Sequence, residues 1–199
     1  MKIIIIAAMT KNRVIGLDNK LPWRIKEELQ YFRKITLNKA IIMGGNTFVS
    51  LKQQPLSNRY NIVLTRKTSK FIEIIDHQNE NHQYNNLAFA TNVQDGLTKA
   101  KEFYLNNKLI MDQQEILIIG GREIYLQFLP LADQLYLSII KHNYYGNVFF
   151  PEFDVNQWKL ISNEEHQEFV AQIFSAPRGA PRLIAESAIR KMLTEHILY

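Results

Sequence analysis

Cysteine is absent from the 199 residues of this chain. Disulfides, cysteine-ligated zinc or iron–sulfur sites and cysteine nucleophiles are therefore excluded, and the lack of thiols suits a reducing cytoplasm. Also missing are an apolar run long enough to span a bilayer, the hydrolase motifs H-E-x-x-H and G-x-S-x-G, and any zinc-finger or RNP-like motif. We therefore expect a cytoplasmic protein with no bound metal, no membrane contact and no nucleic-acid partner.

The charge balance is mildly basic. Lysine and arginine number 24 against 19 aspartates and glutamates, which gives a formal charge of +5. This excess fits either an ordinary soluble surface or a preference for anionic ligands such as phosphates and carboxylates, and charge alone does not choose between them. A hydrophobic content of 46% is enough for one domain with a sizeable core.

Five apolar, β-branched runs predict buried strands, and helical patterns lie between several of them. The predicted strands are Ile3–Ala8, Ala40–Met43, Asn61–Thr65, Glu115–Ile119 and Gln134–Ile140. The predicted helices are Ile25–Ile35, Thr47–Leu51, Val93–Leu105 and Glu123–Phe128. This alternation predicts an α/β fold with a mostly parallel central sheet and helices on both faces. The strand-rich stretch from Gln134 to Phe174 predicts an antiparallel C-terminal edge.

The chain is predicted to hold one domain, residues 1–174, followed by an extension at 175–199. The polar stretch Asp76–Asn86 predicts an exposed loop insertion. In the extension, Pro and Gly at 177–181 break regular structure, and apolar residues then recur at helical spacing. The pattern is compatible with either an amphipathic helix or a disordered tail in this extension.

Three features have binding chemistry, each with an ordinary structural alternative. Paired glycines follow two strands, at IIMGGNTF (41–48) and ILIIGGREIY (116–125), where they allow either phosphate binding or simply a tight turn. Arg59, Arg66 and Lys67 flank the third strand and suit a carboxylate or phosphate, or are solvated surface charges. Glu28 borders the apolar stripe of the first helix, so it is either a cleft acid with a raised pKa or a favourable first-turn glutamate.

Taken together, several segments resemble dihydrofolate reductase. They are IIAAMTKNRVIGLDNKLPW (5–23), LNKAIIMGGNTF (37–48), PLSNRYNIVLTR (55–66), IIGGREIYLQFLPLADQLYLSII (118–140) and GNVFFP (146–151). The resemblance implies a single-domain dihydrofolate reductase-like fold. It also implies that NADPH gives a hydride to C6 of dihydrofolate while N5 gains a proton, which produces tetrahydrofolate.

The resemblance further implies a substrate site. Glu28 corresponds to the acid that pairs with the 2-amino group and N3 of the pterin, and Trp23 would hold a water beside it, so these two are the expected catalytic residues. Arg59 would clamp the glutamate α-carboxylate with its planar fork. The full expected substrate-binding set is Ile6, Ala8, Glu28, Leu29, Phe32, Leu51, Arg59, Ile119, Tyr125 and Ser138.

A cofactor site follows in the same way. The segment Leu17–Leu21 resembles a mobile loop that closes over the site. Thr65 and Arg66 would receive the ribose 2′-phosphate, and Gly120 and Gly121 resemble a pair joined by a cis peptide bond. The full expected cofactor-binding set is Ala8, Ile15, Gly16, Asn19, Leu21, Gly44, Gly45, Asn46, Thr47, Leu64, Thr65, Arg66, Gly120, Gly121, Arg122, Glu123 and Ile124.

The chain departs from the family at Gly45, where Arg or Lys is usual. One cationic contact is therefore missing, so weaker NADPH binding is expected unless Arg66 or Lys67 compensates. Two alternatives stay open at this point: the pyrimidine reductase of riboflavin synthesis, and a non-catalytic binding protein on the same fold. The expected small-molecule partner is dihydrofolate, and the expected state is a monomer.

Overall fold

The computed structural model describes residues 1–69, 71–72, 84–108 and 114–176. The strands are β1 (Lys2–Thr10), β2 (Val14–Gly16), β3 (Ala40–Gly44), β4 (Tyr60–Leu64), β5 (Leu87–Ala90), β6 (Glu115–Ile118), β7 (Gln134–Ile140), β8 (Val148–Phe149), β9 (Lys159–Glu165) and β10 (Phe169–Ser175). The helices are α1 (Lys26–Thr36), α2 (Gly45–Ser50), α3 (Val93–Asn106) and α4 (Arg122–Phe128). Most of the tail and of the polar insertion, at 177–199 and 76–83, lies outside the described residues.

Eight strands form one sheet in the order β5-β4-β3-β6-β1-β7-β10-β9. Every pairing from β5 to β7 is parallel, whereas β10 pairs antiparallel with both β7 and β9. The predicted α/β fold with an antiparallel C-terminal edge is therefore confirmed. One detail differs, because β7 runs parallel to β1 and the antiparallel part begins only at β10.

Helices cover both faces of the sheet, as predicted. Residues alternate along β1, so Ile5 joins a core with Tyr104 of α3 and Phe128 of α4. Its neighbours Ile4 and Ile6 face the opposite side, where they join a core that includes Phe48 of α2. This double coverage explains why the central strands are continuous apolar runs in the sequence.

Local chemistry sets where the helices begin and end. Helix α1 has Glu27 and Glu28 in its first turn and Arg33 and Lys34 in its last turn. These charges interact favourably with the helix dipole and so stabilise both ends of the helix. At the start of α3, the Asn92 side chain accepts a hydrogen bond from the backbone N–H of Asp95. The observed helices match the predicted ones to within two residues at each end.

Four parallel strands end at the same edge of the sheet, where a binding crevice can form. Strands β1, β3, β4 and β6 are parallel neighbours in one half of the sheet, so their carboxyl ends meet at the same edge. Helices α2 and α4 follow directly on β3 and β6 at this edge. In open α/β sheets, ligands bind in the crevice beyond such strand ends. No helix in the described ranges has the length and apolar character needed to cross a membrane.

Candidate active site

A cleft of about 850 Å³ lies at this edge of the sheet. Its walls come from β1, α1, the starts of α2 and α4, the end of β4 and the loop after β2. The structure brings into the cleft wall every residue of the expected substrate-binding and cofactor-binding sets except Ser138 and Gly120. Of the two expected catalytic residues, Glu28 lines the cleft and Trp23 does not. Residues that are far apart in sequence, such as Glu28 and Ile119, therefore line one space.

Glu28 is the buried acid of the cleft. It lies in the first turn of α1 and is only 5% exposed. Burial raises its pKa from 4.5 to about 7, and a hydrogen bond with the Ser138 hydroxyl acts in the opposite direction. Ser138, on β7 beside Ala8 of β1, therefore contacts the carboxyl from behind the cleft wall. A carboxyl with this pKa is present in both protonation states near neutral pH.

Tyr125 supports the floor beside Glu28. Its hydroxyl donates a hydrogen bond of 2.9 Å to the carbonyl oxygen of Ile6 on β1. Burial, and then the nearby Glu28, raise the pKa of Tyr125 above its usual value, so the phenol stays neutral and keeps its proton. The tyrosine therefore fixes the β1 backbone rather than acting as an acid or base.

Trp23 lies just outside the cleft wall. It is 6% exposed and packs in a core with Val14, Ile25 and Phe169, and its ring lies 5.5 Å from that of Tyr144. Its indole Nε1–H is buried and has no acceptor in the part of the chain that the structure describes. A buried donor of this kind is costly unless a partner such as water satisfies it.

Arg59 is a buried cation at the end of the cleft where the substrate is expected. It is 8% exposed, donates to the Ser57 carbonyl oxygen at 3.0 Å and to the Thr36 hydroxyl at 3.1 Å, and has no carboxylate in ion-pair contact within the described ranges. Burial, and then the nearby Arg33, lower the pKa of its guanidinium. A buried cation without a carboxylate is expensive, so an anionic ligand would stabilise it.

The two glycine turns lie side by side. The backbone N–H of Gly44 donates to the carbonyl oxygen of Gly120 at 2.7 Å, and the Gly120–Gly121 peptide bond is cis, as the resemblance implies. Gly120 has φ +102°, and a Cβ there would lie 2.9 Å from the Tyr125 ring. Only glycine fits this position, because its φ is positive and the Tyr125 ring leaves no space for a Cβ. The neighbouring Gly44, Gly45 and Gly121 line the cleft.

Two cations follow β4 at the other end of the cleft. Arg66 and Lys67 are exposed, line the cleft and form no ion pair with a described carboxylate. Thr65 shapes their turn, because its hydroxyl accepts a hydrogen bond of 3.0 Å from the backbone N–H of Lys67. The predicted anion-binding position after the third predicted strand is thus a hydrogen-bonded turn that opens onto the cleft.

The loop after β2 forms a further wall, and β8 supports it. Leu17 and Lys20 are joined by two backbone hydrogen bonds of 2.9 Å. The side-chain amide N–H of Asn147 donates a hydrogen bond of 2.9 Å to the Asp18 carboxylate. The side-chain oxygen of Asn147 accepts a hydrogen bond of 3.2 Å from the backbone N–H of Asp18. The loop is therefore held in place from a segment more than a hundred residues away in sequence.

Some cleft residues were not expected from the sequence. Arg33 carried a signal, since it lies one helical turn after Leu29 on α1 and so shares its face. Phe71 carried none, because its approach to the cleft depends on the path of the chain after β4. The residues that were not expected are Ala7, Arg33, Ser50, Leu56, Phe71 and Val148. The cleft is also lined by Lys67, one of the predicted anion-binding cations, and by Lys20, which lies in the expected mobile loop.

The sequence of this chain matches a known protein family. The sequence model of the family described as dihydrofolate reductase matches residues 2–174. The chain belongs to the dihydrofolate reductase family. The dihydrofolate reductase of Bacillus subtilis is 36% identical over 160 residues, which cover 80% of this chain and 82% of that protein. That of Ureaplasma parvum is 37% identical over 172 residues, which cover 86% and 95%.

A solved structure of the family agrees with the fold. The dihydrofolate reductase from Enterococcus faecalis, described as complexed with NADP(H) and RAB-propyl, superimposes with a TM-score of 0.68. The alignment covers 88% of this chain and 96% of the other, at 24% identity. The family resemblance seen in the sequence is therefore confirmed.

Proposed function

We propose that this chain reduces 7,8-dihydrofolate to 5,6,7,8-tetrahydrofolate with NADPH, by hydride transfer to C6 and protonation at N5. The observation that carries the proposal is Glu28, a single buried carboxyl in a cleft that also offers glycine turns and unpaired cations. The relatives described above are all named dihydrofolate reductase. Neither the pyrimidine reductase of riboflavin synthesis nor a non-catalytic binding protein is favoured.

Glu28 would bind and orient the pterin ring. The 2-amino group and N3 of the pterin both donate hydrogen bonds, and a carboxylate accepts both at once. With a pKa of about 7, the carboxyl can also hold a proton at neutral pH and release it toward N5. The buried Nε1–H of Trp23 is available to hold a water that carries this proton.

Arg59 would bind the other end of the substrate. The glutamyl tail of dihydrofolate ends in carboxylates, and a guanidinium contacts one of them through two parallel hydrogen bonds. Its contacts with Ser57 and Thr36 hold the guanidinium in place before the substrate arrives. Between the two charged ends, Leu29 and Phe32 of α1 offer apolar surface for the aromatic middle of the substrate.

The residues of the cleft fit NADPH. Close glycine turns and unpaired cations are what a phosphate-bearing dinucleotide requires. When bound, NADPH supplies the hydride for the reduction. Ala8, Ile15 and Gly16 would hold the nicotinamide end, Thr47 the pyrophosphate, and Thr65 with Arg66 the 2′-phosphate. A cytoplasmic location, a monomeric state and the lack of a nucleic-acid partner stay predictions from the sequence.

The direct test follows NADPH oxidation by the purified chain. Absorbance should fall when dihydrofolate and NADPH are both present and stay constant when either is omitted. An excess of the aminopyrimidine substrate of riboflavin synthesis should neither be reduced nor slow the reaction. A folded protein that leaves NADPH unoxidised with dihydrofolate would refute the proposal.

A pair of neighbouring variants tests the role of Glu28. Glu28→Gln should lower kcat at neutral pH by about a hundredfold or more, because the proton-holding group is lost. The matched control is Glu27→Gln, since Glu27 is half-exposed, lies outside the cleft wall and bonds to His166. NADPH affinity, measured by calorimetry, should stay nearly constant in both. Equal losses of turnover in the two variants would contradict the assignment.

A further inference from the structure

The segment just before β4 carries Arg59, and the side chain of Asn61 closes it. Asn61 lies on β4 and is fully buried, with an exposed fraction of 0%. Its side-chain oxygen accepts a hydrogen bond of 2.9 Å from the backbone N–H of Leu56. Its side-chain amide donates to the carbonyl oxygen of Leu56 at 3.0 Å and to that of Arg59 at 2.9 Å. Asn61 therefore satisfies backbone groups at both ends of the segment 56–59.

Asn86 supplies a second amide to the same two carbonyl groups. It directly precedes β5 and is the last residue of the polar stretch that was predicted as a loop insertion. Its side-chain amide donates to the carbonyl oxygens of Leu56 and Arg59, at 3.2 Å in both cases. Its own carbonyl oxygen accepts a hydrogen bond of 2.8 Å from the backbone N–H of Asn61. The two asparagines thus tie the segment 56–59 to the edge strand β5.

The guanidinium of Arg59 depends on this backbone for its position. It donates to the carbonyl oxygen of Ser57, within the same segment, and to the hydroxyl of Thr36 at the end of α1. Ser57 would move with the segment, whereas Thr36 is held by α1, since its hydroxyl donates to the Phe32 carbonyl oxygen at 2.9 Å. A shift of the segment would therefore break the contact with Thr36 and displace the guanidinium in the cleft wall.

The two asparagines lie behind the cleft wall, because Leu56 and Arg59 line the cleft and Asn61 and Asn86 do not. We propose that Asn86 is a positioning residue that, together with Asn61, holds Arg59 in place for the carboxylate of the substrate. Two parallel hydrogen bonds between a guanidinium and a carboxylate need close alignment, so a small displacement weakens both. This inference rests on the proposed function, which assigns the glutamyl tail of dihydrofolate to Arg59.

Steady-state kinetics of two neighbouring variants test the role of Asn86. Asn86→Ala should raise KM for dihydrofolate about fivefold with little change in kcat, because two hydrogen bonds to the segment are lost and those from Asn61 remain. The matched control is Asn85→Ala, since Asn85 is exposed, lies outside the cleft wall and forms no side-chain hydrogen bond with the described residues. With a dihydropterin that lacks the glutamyl tail, both variants should match the unaltered chain. An unchanged KM for dihydrofolate in Asn86→Ala, or an equal rise with both substrates, would overturn the proposal.

A double-mutant cycle separates an effect through Arg59 from a general loosening of the fold. The dissociation constant for dihydrofolate, measured by calorimetry, should rise about fivefold when Asn86→Ala is introduced into the unaltered chain. In an Arg59→Ala background the same change should alter this constant less than about twofold, because no guanidinium remains to be positioned. Equal weakening in both backgrounds would overturn the proposal. A chain that binds dihydrofolate but does not oxidise NADPH would instead refute the proposed function, and the cycle would still decide the role of Asn86.

Discussion

The charged residues at the two ends of the cleft differ in how far they are buried. At the substrate end, Glu28 and Arg59 are 5% and 8% exposed and are held by protein hydrogen bonds. At the cofactor end, Arg66 and Lys67 are exposed on a turn and pair with no described carboxylate. One end positions its charges before binding, and the other leaves them solvated.

The difference has a thermodynamic cost and a benefit. Burial of an ionisable group disfavours its charged form, which is why the pKa of Glu28 rises while that of Arg59 falls. The protein gives up stability at the substrate end and gains oriented groups for chemistry there. Solvated cations at the cofactor end cost little, but water and salt weaken each contact they make.

The largest expected effect is the stability gained when the buried acid is made neutral. In the folded chain Glu28 titrates at about 7, against 4.5 for an ordinary glutamate, so the folded state holds a proton over this range that the unfolded state has lost. The free energy of unfolding therefore falls by up to about 3 kcal/mol as the pH rises from 4.5 to 7, and it is constant above pH 7. Glu28→Gln should remove this fall.

Urea unfolding of the ligand-free protein at several pH values measures the effect. The difference in free energy of unfolding between Glu28→Gln and the unaltered chain should grow from pH 5 to pH 7 and then level off. Glu27→Gln, with its half-exposed side chain, should show no such growth. Parallel pH profiles for all three proteins would mean that Glu28 is solvated, and the contrast between the two ends would disappear.

The next largest effect concerns Arg59. Arg59→Ala should raise KM for dihydrofolate about a hundredfold with little change in kcat, because a buried guanidinium that pairs with a carboxylate is worth far more than an exposed one. A dihydropterin without the glutamyl tail is the control substrate. Its kinetic constants should hardly change, and a similar loss with it would place Arg59 in a structural role only.

The central strands and the position of Glu28 could be predicted from the sequence, because the patterns that indicate them are local. Apolar runs such as Ile41–Met43 are buried on both faces, so a continuous run of apolar, β-branched residues is enough to identify them. Glu28 stands on the apolar side of an amphipathic helix, where a charged residue is conspicuous. The family resemblance then supplied the expected roles of the site residues, which no single motif could.

The stretch from Gln134 to Phe174 was predicted to be strand-rich, but the sequence did not delimit the strands that form only through pairing. Strand β9, KLISNEE, is exposed along its whole length and has no apolar pattern, so only its pairing with β10 makes it a strand. Strands β2 and β8 are three and two residues long and exist because they pair across more than a hundred positions. The place of Phe71 in the cleft wall likewise depends on tertiary packing alone.

The smallest expected effect is the response of the cofactor end to salt. Exposed cations are screened over a Debye length that shrinks from about 30 Å at 0.01 M to about 3 Å at 1 M ionic strength. NADPH affinity should therefore fall about threefold more than NADH affinity over this range, because only NADPH carries the 2′-phosphate that these cations are proposed to bind. The KM for dihydrofolate should respond less, since Arg59 is shielded from solvent by Thr36 and Ser57. If dihydrofolate and NADPH weaken in parallel as salt rises, burial does not distinguish the two ends, and the charges at both would have to be treated as solvated.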